Sequence, residues 1–184
     1  MHAETYLKEA ADICAALDPE AIEAMAAALS SVEGRVYVIG LGGSLANAIH
    51  MAADLRKLCH IDAVAPDNIA EMTAWANDSG WEDLFRGFLK RLSGKDALFV
   101  LSVGGGTADV SLPITDSCHR AMAVMAPIFG IVGPDGGATA AFGQHVIKVP
   151  APKYHVTPHT EAFQAVIWHL LVSHPLLQKQ ATKW

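Results

Sequence analysis

Three short apolar runs that each end in a glycine-rich loop constrain the fold of this sequence more than any other feature. The three units are Arg35–Ile39 followed by Gly40-Leu41-Gly42-Gly43-Ser44, Ala97–Ser102 followed by Val103-Gly104-Gly105-Gly106-Thr107, and Ile128–Val132 followed by Gly133-Pro134-Asp135-Gly136-Gly137. Apolar runs of this length, bounded by turn residues, are typical of buried strands. Because segments of helical composition follow the first two loops, we predict a mostly parallel sheet with helices on both faces.

The remaining elements complete an α/β three-layer sandwich that begins with a pair of helices. Apolar residues recur at helical spacing from Glu4 to Leu17, and Asp18-Pro19 supplies an N-cap and a first-turn proline for a second helix toward Leu29. Further elements are predicted as a helix over Ala46–Leu58, a helix interrupted at Pro113, a fourth strand over Val146–Val149 and a last helix from Thr157 to about Ser173.

Length, composition and charge limit the domain count and the classes of partner. The 184 residues suit one core, so we expect a single domain over 1–184, with helices at 1–33 in oligomer contacts and the α/β core and last helix at 34–184. Hydrophobic residues make up 52% of the chain, yet every apolar run is interrupted well before the roughly 20 residues of a membrane span. The net charge is −6 and the sequence has no long Lys/Arg run, so it does not indicate a positively charged surface that would bind nucleic acid. We therefore expect neither a membrane nor a nucleic acid as partner.

The start of the chain and its cysteines indicate a cytoplasmic protein. The N-terminus lacks the basic, hydrophobic and small-residue order of a secretory signal. Cys14, Cys59 and Cys118 are odd in number and show no Cys-x-x-Cys spacing, so we expect reduced, mostly buried thiols and neither disulfides nor a cysteine zinc site.

The first two glycine loops are candidates for a phosphate site. A glycine turn that leads into a helix exposes backbone N–H groups at the positive end of the helix dipole. The candidate ligands are Gly42, Gly43 and Ser44 in the first loop, and Ser102, Gly104, Gly105, Gly106 and Thr107 in the second. One such loop alone is as well explained by a tight turn, but two loops at the same sheet edge favour a dianionic phosphate. Neither loop matches a Walker A or a dinucleotide-binding pattern, which disfavours nucleotides.

Two predicted helices each carry one imidazole and one carboxylate. His50 and Asp54 stand four residues apart, and Glu161 and His169 stand eight apart, so each pair projects from one helical face. Two facing helices, within a subunit or across an interface, could bring together a ligand set that suits a zinc-like divalent ion. Taken singly, each carboxylate is more typical of a solvated helix face than of a metal site, and each histidine more typical of a packed core or interface residue than of a ligand.

These motifs together resemble the sugar isomerase (SIS) domain family over nearly the whole chain, and within it the phosphoheptose isomerases. The residues that carry the resemblance are Gly40-Leu41-Gly42-Gly43-Ser44 with His50, Ala76-Asn77-Asp78 before Gly80, Ser102–Thr107, Gly133-Pro134-Asp135-Gly136-Gly137, and the helix with Glu161 and His169. The chain departs from the family in having Leu41 where Asn is usual and a glycine run where the second loop usually has a Ser/Thr-rich Ser-Thr-Ser-Gly-Asn-Ser pattern. The glycines at these positions remove side-chain hydrogen-bond donors, and they allow the backbone to approach a phosphate more closely.

The resemblance implies a flavodoxin-like fold, a homotetramer with sites at subunit interfaces, and one Zn²⁺ or another divalent metal per site. Its combined zinc and acid/base residues correspond here to His50, Asp54, Glu161 and His169, with Asp and Glu where the family has Glu and Gln. The implied activity is aldose-ketose isomerisation of sedoheptulose 7-phosphate. Asp54 or Glu161 would take the carbon-bound proton, His169 would move protons at oxygen, and the metal would stabilise developing charge.

Two further residues and two rival functions stay open at this point. His159 is predicted to reach substrate hydroxyls, whereas Thr157 is expected to cap the last helix. Asp78 is predicted to bond a sugar hydroxyl by family analogy, and an Asx-turn explains it equally well. The rivals are a non-catalytic SIS module that binds a phosphosugar or a protein partner, and an isomerase of another sugar phosphate.

Overall fold

The computed structural model describes residues 1–183 and has a five-stranded parallel sheet at its centre. The strands are β1 (Val36–Ile39), β2 (Ala63–Val64), β3 (Ala97–Ser102), β4 (Ile128–Val132) and β5 (His145–Lys148). Their order across the sheet is β2-β1-β3-β4-β5, and every neighbouring pair is parallel. The predicted parallel α/β architecture is therefore confirmed.

Seven α-helices and two short 3₁₀ turns surround the sheet in the described part of the chain. The helices are α1 (His2–Ala16), α2 (Pro19–Ser30), α3 (Gly43–Cys59), α4 (Ile69–Ser79), α5 (Leu112–Ala123), α6 (Gly137–Phe142) and α7 (Val156–Val172). The 3₁₀ turns are Trp81–Asp83 and Lys153–His155. Among residues 1–183, no helix has both the length and the apolar character needed to cross a bilayer.

The sheet separates two hydrophobic cores, which gives the three layers. Along β1 the side chains alternate, so that Val36 and Val38 belong to the core under α2, α3 and α7, and Tyr37 and Ile39 to the core under α5. Both cores have bulky buried residues at their centres, Trp168 in the first and Phe85 in the second. Burial on both faces explains why the strand segments are almost continuously apolar.

The helix boundaries show where local sequence signals decide the structure and where they do not. Asp18 caps α2 as predicted, since its Oδ1 accepts from the backbone N–H of Glu20 at 2.9 Å. Pro113 does not interrupt a helix, because it lies in the first turn of α5, where a missing N–H has no cost. Thr157 lies inside α7, and the N-cap is His155. The predicted capping role of Thr157 is therefore wrong.

The strand order places the first two glycine loops side by side. β1 lies between β2 and β3, so the chain leaves β1 and β3 on opposite sides of a topological switch point. In such sheets the crevice outside the carboxyl ends of these two strands is the usual ligand position. The loops that follow β1 and β3 border this crevice.

The cysteines agree with the prediction of mostly buried thiols. Cys59 and Cys118 are buried, whereas Cys14 is exposed on α1. Burial raises the pKa of both the Cys59 and the Cys118 thiol to about 11. Both buried thiols are therefore protonated and unreactive near neutral pH.

Candidate functional site

The first glycine loop ends at a buried hydroxyl that has no hydrogen-bond partner among residues 1–183. Gly42, with φ +59°, is the N-cap of α3, and Ser44 lies in the first helical turn. Ser44 is only 1% exposed, and its Oγ has no partner among the described residues. A buried polar atom without a partner is rare in folded proteins. Its position at a helix N-terminus suits an anion, which supports the phosphate role predicted for Ser44.

A second unpartnered hydroxyl comes from the beginning of α7. Thr160 is fully buried, and its Oγ1 also lacks a hydrogen-bond partner among residues 1–183. This oxygen lies near the loop after β4, because a Cβ added at Gly133 would be 3.2 Å from it. No sequence pattern had singled out Thr160.

In the second loop, Ser102 shapes the backbone. Its buried Oγ accepts from the Gly105 N–H at 3.0 Å. This bond uses a lone pair and leaves the hydroxyl proton to be donated. Thr107 closes its own short turn, since its Oγ1 donates to the Val110 carbonyl at 2.9 Å and accepts from the Val110 N–H at 3.0 Å.

The three consecutive glycines of the second loop differ in whether the structure requires a glycine at that position. Gly105 and Gly106 have φ values of +69° and +87°, and any side chain at Gly105 would collide with the carbonyl of Gly136. Their carbonyls bind the start of α6, where the Ala138 N–H reaches Gly106 at 2.8 Å. Gly104 differs, because a Cβ added there meets no atom within 4 Å. The close packing of the loops after β3 and β4 therefore requires Gly105. Of the three glycines, only Gly104 faces open space.

Three of the four predicted metal ligands lie together between α3 and α7. Ligand atoms of His50, Asp54 and His169 all lie within 4.8 Å of one another. His50 Nε2 is 3.6 Å from Asp54 Oδ2, and the His50 and His169 ring centroids are 5.5 Å apart. The His50 side chain is 60% exposed, so the cluster is open to solvent and to a substrate.

The orientation of His169 suits metal binding or proton transfer. Its Nδ1 donates to the Ala165 carbonyl at 2.7 Å, and its ring stacks on Trp168 with centroids 3.5 Å apart. The hydrogen bond fixes the neutral tautomer, so that Nε2 carries the free lone pair. Two imidazoles and one carboxylate with an open position match the donor set of catalytic zinc, so the residues present fit a divalent ion.

Glu161 does not join this cluster within the chain. Its carboxylate instead contacts Gly43, and any side-chain carbon at that glycine would collide with it. The eight residues from Glu161 to His169 correspond to a rise of ~12 Å along α7. Because α3 and α7 run side by side in the same direction, Glu161 lies beside the first glycine loop and His169 beside His50. The prediction that all four side chains converge is therefore wrong for a single chain.

His159 and Asp78 have their contacts elsewhere. His159 is 1% exposed, its Nε2 donates to Glu9 Oε2 at 2.9 Å, and its ring stacks on Tyr6. This hydrogen bond from His159, together with one from His155, lowers the pKa of the Glu9 carboxyl. Asp78 is exposed near the end of α4 and accepts from Asn77 Nδ2 at 2.8 Å. The substrate contacts proposed for both residues stay predictions.

Sequence reasoning missed the residue that joins α3 to α7. Asn47 Nδ2 donates to the Glu161 carbonyl at 2.9 Å and to Gln164 Oε1 at 3.2 Å. Asn47 lies on α3, about one helical turn after Ser44. A single Asn in a sequence does not indicate which distant residue it will bond, so this contact could not be predicted. These bonds fix α7 against α3, the helix that starts at the first glycine loop.

A parallel sheet with glycine-rich loops at its switch point, and an imidazole-carboxylate cluster between α3 and α7, is the arrangement of an α/β domain of the phosphosugar-binding class. Residues 5–126 match the model of the SIS domain. The chain belongs to the SIS domain family, and within it to the phosphoheptose isomerase type.

Curated relatives agree with this assignment. The chain is 26% identical over 191 residues to the phosphoheptose isomerase of Syntrophotalea carbinolica, covering 96% of this chain and 92% of that protein. It is 30% identical over 169 residues to the phosphoheptose isomerase of Rhodospirillum rubrum, covering 86% and 84%. It is also 30% identical over 179 residues to the lincomycin biosynthesis protein LmbN of Streptomyces lincolnensis, covering 90% and 65%.

Solved structures share the fold. The phosphoheptose isomerase GmhA of Neisseria gonorrhoeae superimposes with a TM-score of 0.80 at 23% identity, covering 93% of this chain and 92% of that one. A phosphoheptose isomerase from Francisella tularensis gives a TM-score of 0.80 at 22% identity, covering 97% and 95%. At these identities the likeness establishes the fold.

Proposed function

We propose that the protein is an aldose-ketose isomerase of a sugar phosphate, with sedoheptulose 7-phosphate as its substrate. The observation that carries this proposal is the cluster of His50 and Asp54 on α3 with His169 on α7, because α3 is also the helix whose first turn holds the buried Ser44 hydroxyl, which has no partner among the described residues. One helix thus carries both an anion anchor and groups able to move protons. The names of the curated relatives point to the same substrate class.

The spacing on α3 suits a long substrate. Six residues separate Ser44 from His50, which corresponds to a helical rise of ~9 Å. An extended seven-carbon sugar has a comparable length, so a phosphate held at Ser44 would leave the far carbons beside His50. A short sugar phosphate anchored at the same point would end before the cluster.

A divalent ion, Zn²⁺ by family resemblance, would be held by His50, Asp54 and His169. When bound, it supplies electrostatic stabilisation of the negative charge that develops on the substrate oxygens. Glu161 is left out of this ligand set because it lies beside Gly43. There it would accept hydrogen bonds from sugar hydroxyls near the phosphate.

The proton transfers are assigned to the residues of the cluster. Asp54 is the better candidate than Glu161 for taking the carbon-bound proton, since it lies within 4.8 Å of His169 and Glu161 lies ~12 Å away along the helix. His169 has only Nε2 for either task, because its Nδ1 is held by the Ala165 carbonyl. That nitrogen would hold the ion when a metal is bound, and it would move protons at oxygen when it is not coordinated.

A panel of ketose and aldose phosphates with three to seven carbons tests the proposal. With metal-loaded protein, we expect the seven-carbon phosphate to isomerise with a kcat/KM about tenfold or more above that of the five-carbon phosphates. Ser44→Ala should raise KM more than it lowers kcat, because the hydroxyl belongs to the anchor. Product formation is followed by NMR.

The same assay separates the rival functions. A preference for another sugar phosphate would rule out sedoheptulose 7-phosphate as the substrate, and the protein would still be an aldose-ketose isomerase. Tight binding of a phosphosugar without turnover of any member would contradict an enzyme and favour a non-catalytic SIS module.

A homotetramer in the cytoplasm completes the proposal. α1 and α7 expose apolar side chains in the single chain, such as Leu7 at 68%, Val166 at 49% and Leu170 at 40%. Exposed apolar residues on neighbouring helices suit subunit contacts. We expect sedimentation at micromolar concentration to give four chains per particle, and Leu7→Glu to shift the protein toward smaller species. A monodisperse monomer would contradict sites at subunit interfaces.

The free thiols Cys59 and Cys118 are in keeping with a reducing compartment, as proposed for a cytoplasmic protein.

A further inference from the structure

A second cluster of metal-binding side chains lies outside the proposed active site, where α1 meets the start of α7. Glu9 Oε2 is 2.8 Å from His155 Nδ1 and 2.9 Å from His159 Nε2. The ligand atoms of the three residues lie within 4.8 Å of one another. The two histidines are four residues apart, so that they project from one side of the start of α7.

The surroundings of this cluster resemble those of a built site more than those of a surface ion pair. His159 is 1% exposed, and the Tyr6 ring covers it with centroids 4.1 Å apart. His155 and Glu9 have side-chain exposures of 26% and 22%. Partial burial protects the donor atoms from bulk water and leaves one side open for an ion to enter. The His2 ring, 5.6 Å from that of His155, adds a further imidazole nearby.

We infer that Glu9, His155 and His159 form a second divalent-metal site, of the zinc class, which fastens α1 to α7. Two imidazole nitrogens and one carboxylate oxygen are a common zinc donor set, with a water or His2 as the fourth ligand. Donors on one tetrahedral zinc lie ~3.3 Å apart, as follows from bonds of about 2.0–2.1 Å. The observed separations of 2.8 and 2.9 Å therefore need only small side-chain shifts.

The site has a structural consequence, because α1 has little else to hold it in the single chain. Ile13 is the only residue of α1 that is fully buried. An ion at Glu9 adds bonds between α1 and α7 that do not depend on apolar contact. Occupancy of this site therefore controls the order of the helix that is expected in subunit contacts.

The stoichiometry of bound metal tests the inference on the full chain. Chelator-treated protein is reloaded with Zn²⁺, freed of excess ion and analysed for metal, and Co²⁺ is used in parallel for its visible spectrum. We expect two ions per chain in the wild type, one in Glu9→Gln and one in His169→Gln, with none in the double variant. Asp12→Asn is the matched control, since Asp12 lies on α1 but pairs with Lys8, and it should retain two ions. His155→Gln provides a second variant in case Glu9→Gln folds poorly.

Hydrogen exchange of the α1 amides gives an independent readout. Removal of Zn²⁺ or the Glu9→Gln change should make exchange in α1 about tenfold faster or more, since an ion at ten times its dissociation constant stabilises the ordered form by that factor. The His169→Gln change should leave α1 exchange unaltered. Two ions retained in Glu9→Gln, or a single ion lost only in His169→Gln, would overturn the second site. A single ion lost only in Glu9→Gln would support it and contradict the metal at His169.

Discussion

Replacing His169 with glutamine is expected to lower kcat/KM for isomerisation by about 10²–10⁴, the usual contribution of a positioned acid/base group. The Nδ1 bond to Ala165 leaves Nε2 as the reactive nitrogen, and glutamine cannot exchange a proton there. The phosphate loops begin two helical turns away, so affinity for phosphate should change less than about twofold. Steady-state kinetics and a phosphate titration followed by ³¹P NMR measure the two effects separately.

His119→Gln is the control for this substitution. His119 is an exposed histidine on α5 whose ring lies near Phe142, outside the cluster. It should keep full activity and full phosphate affinity. A fully active His169→Gln enzyme would remove the catalytic interpretation of the cluster and leave phosphosugar binding as the function.

The strands and their loops could be predicted because their signals are local. β3 and β4 have the bounds predicted for them, since each is an apolar run ended by glycine. β2 was missed because it has only two residues. α4 was missed because its apolar stripe is narrow: none of its residues is fully buried, and of its hydrophobic side chains only Met72 and Ala76 pack against a core.

The candidate site was predictable in its residue types but not in all its distances. His50 and Asp54 meet because four residues make about one helical turn. Glu161 and His169 share a helix without sharing a site, because eight residues separate them by two turns. Spacing along α3 therefore identified two members of the cluster, the predicted facing of a second helix supplied His169, and the spacing along α7 misplaced Glu161.

Contacts between distant segments had no sequence signal at all. Glu9 lies 146 residues before His155 and 150 before His159. Neither the sequence of the N-terminal helix nor that of the start of the last helix has a pattern that predicts contact with the other. Only the packing of α1 against α7 brings these donors together, just as only the packing of α3 against α7 joins Asn47 to Gln164.

Gly105→Ala is expected to have the largest effect on stability, and Gly104→Ala is its matched control. An alanine at Gly105 must adopt φ near +69° and place its Cβ against the Gly136 carbonyl. The left-handed backbone costs about 1–2 kcal/mol, and overpacking adds about 1–3 kcal/mol. At about 2–4 °C per kcal/mol for a chain of this length, Tm should fall by roughly 4–20 °C. Thermal unfolding without ligand measures this loss.

Gly104→Ala should leave Tm within a degree or two of the wild type, because its Cβ meets no atom within 4 Å and its backbone needs no positive φ. If the open space beside Gly104 is where the phosphate sits, the added methyl should instead weaken phosphate binding by about tenfold, the equivalent of one lost hydrogen bond. The two alanines would then separate the glycine that packs two loops from the glycine that admits the ligand. Equal losses of stability in both variants, or unchanged phosphate affinity in Gly104→Ala, would contradict this division and move the phosphate away from the second loop.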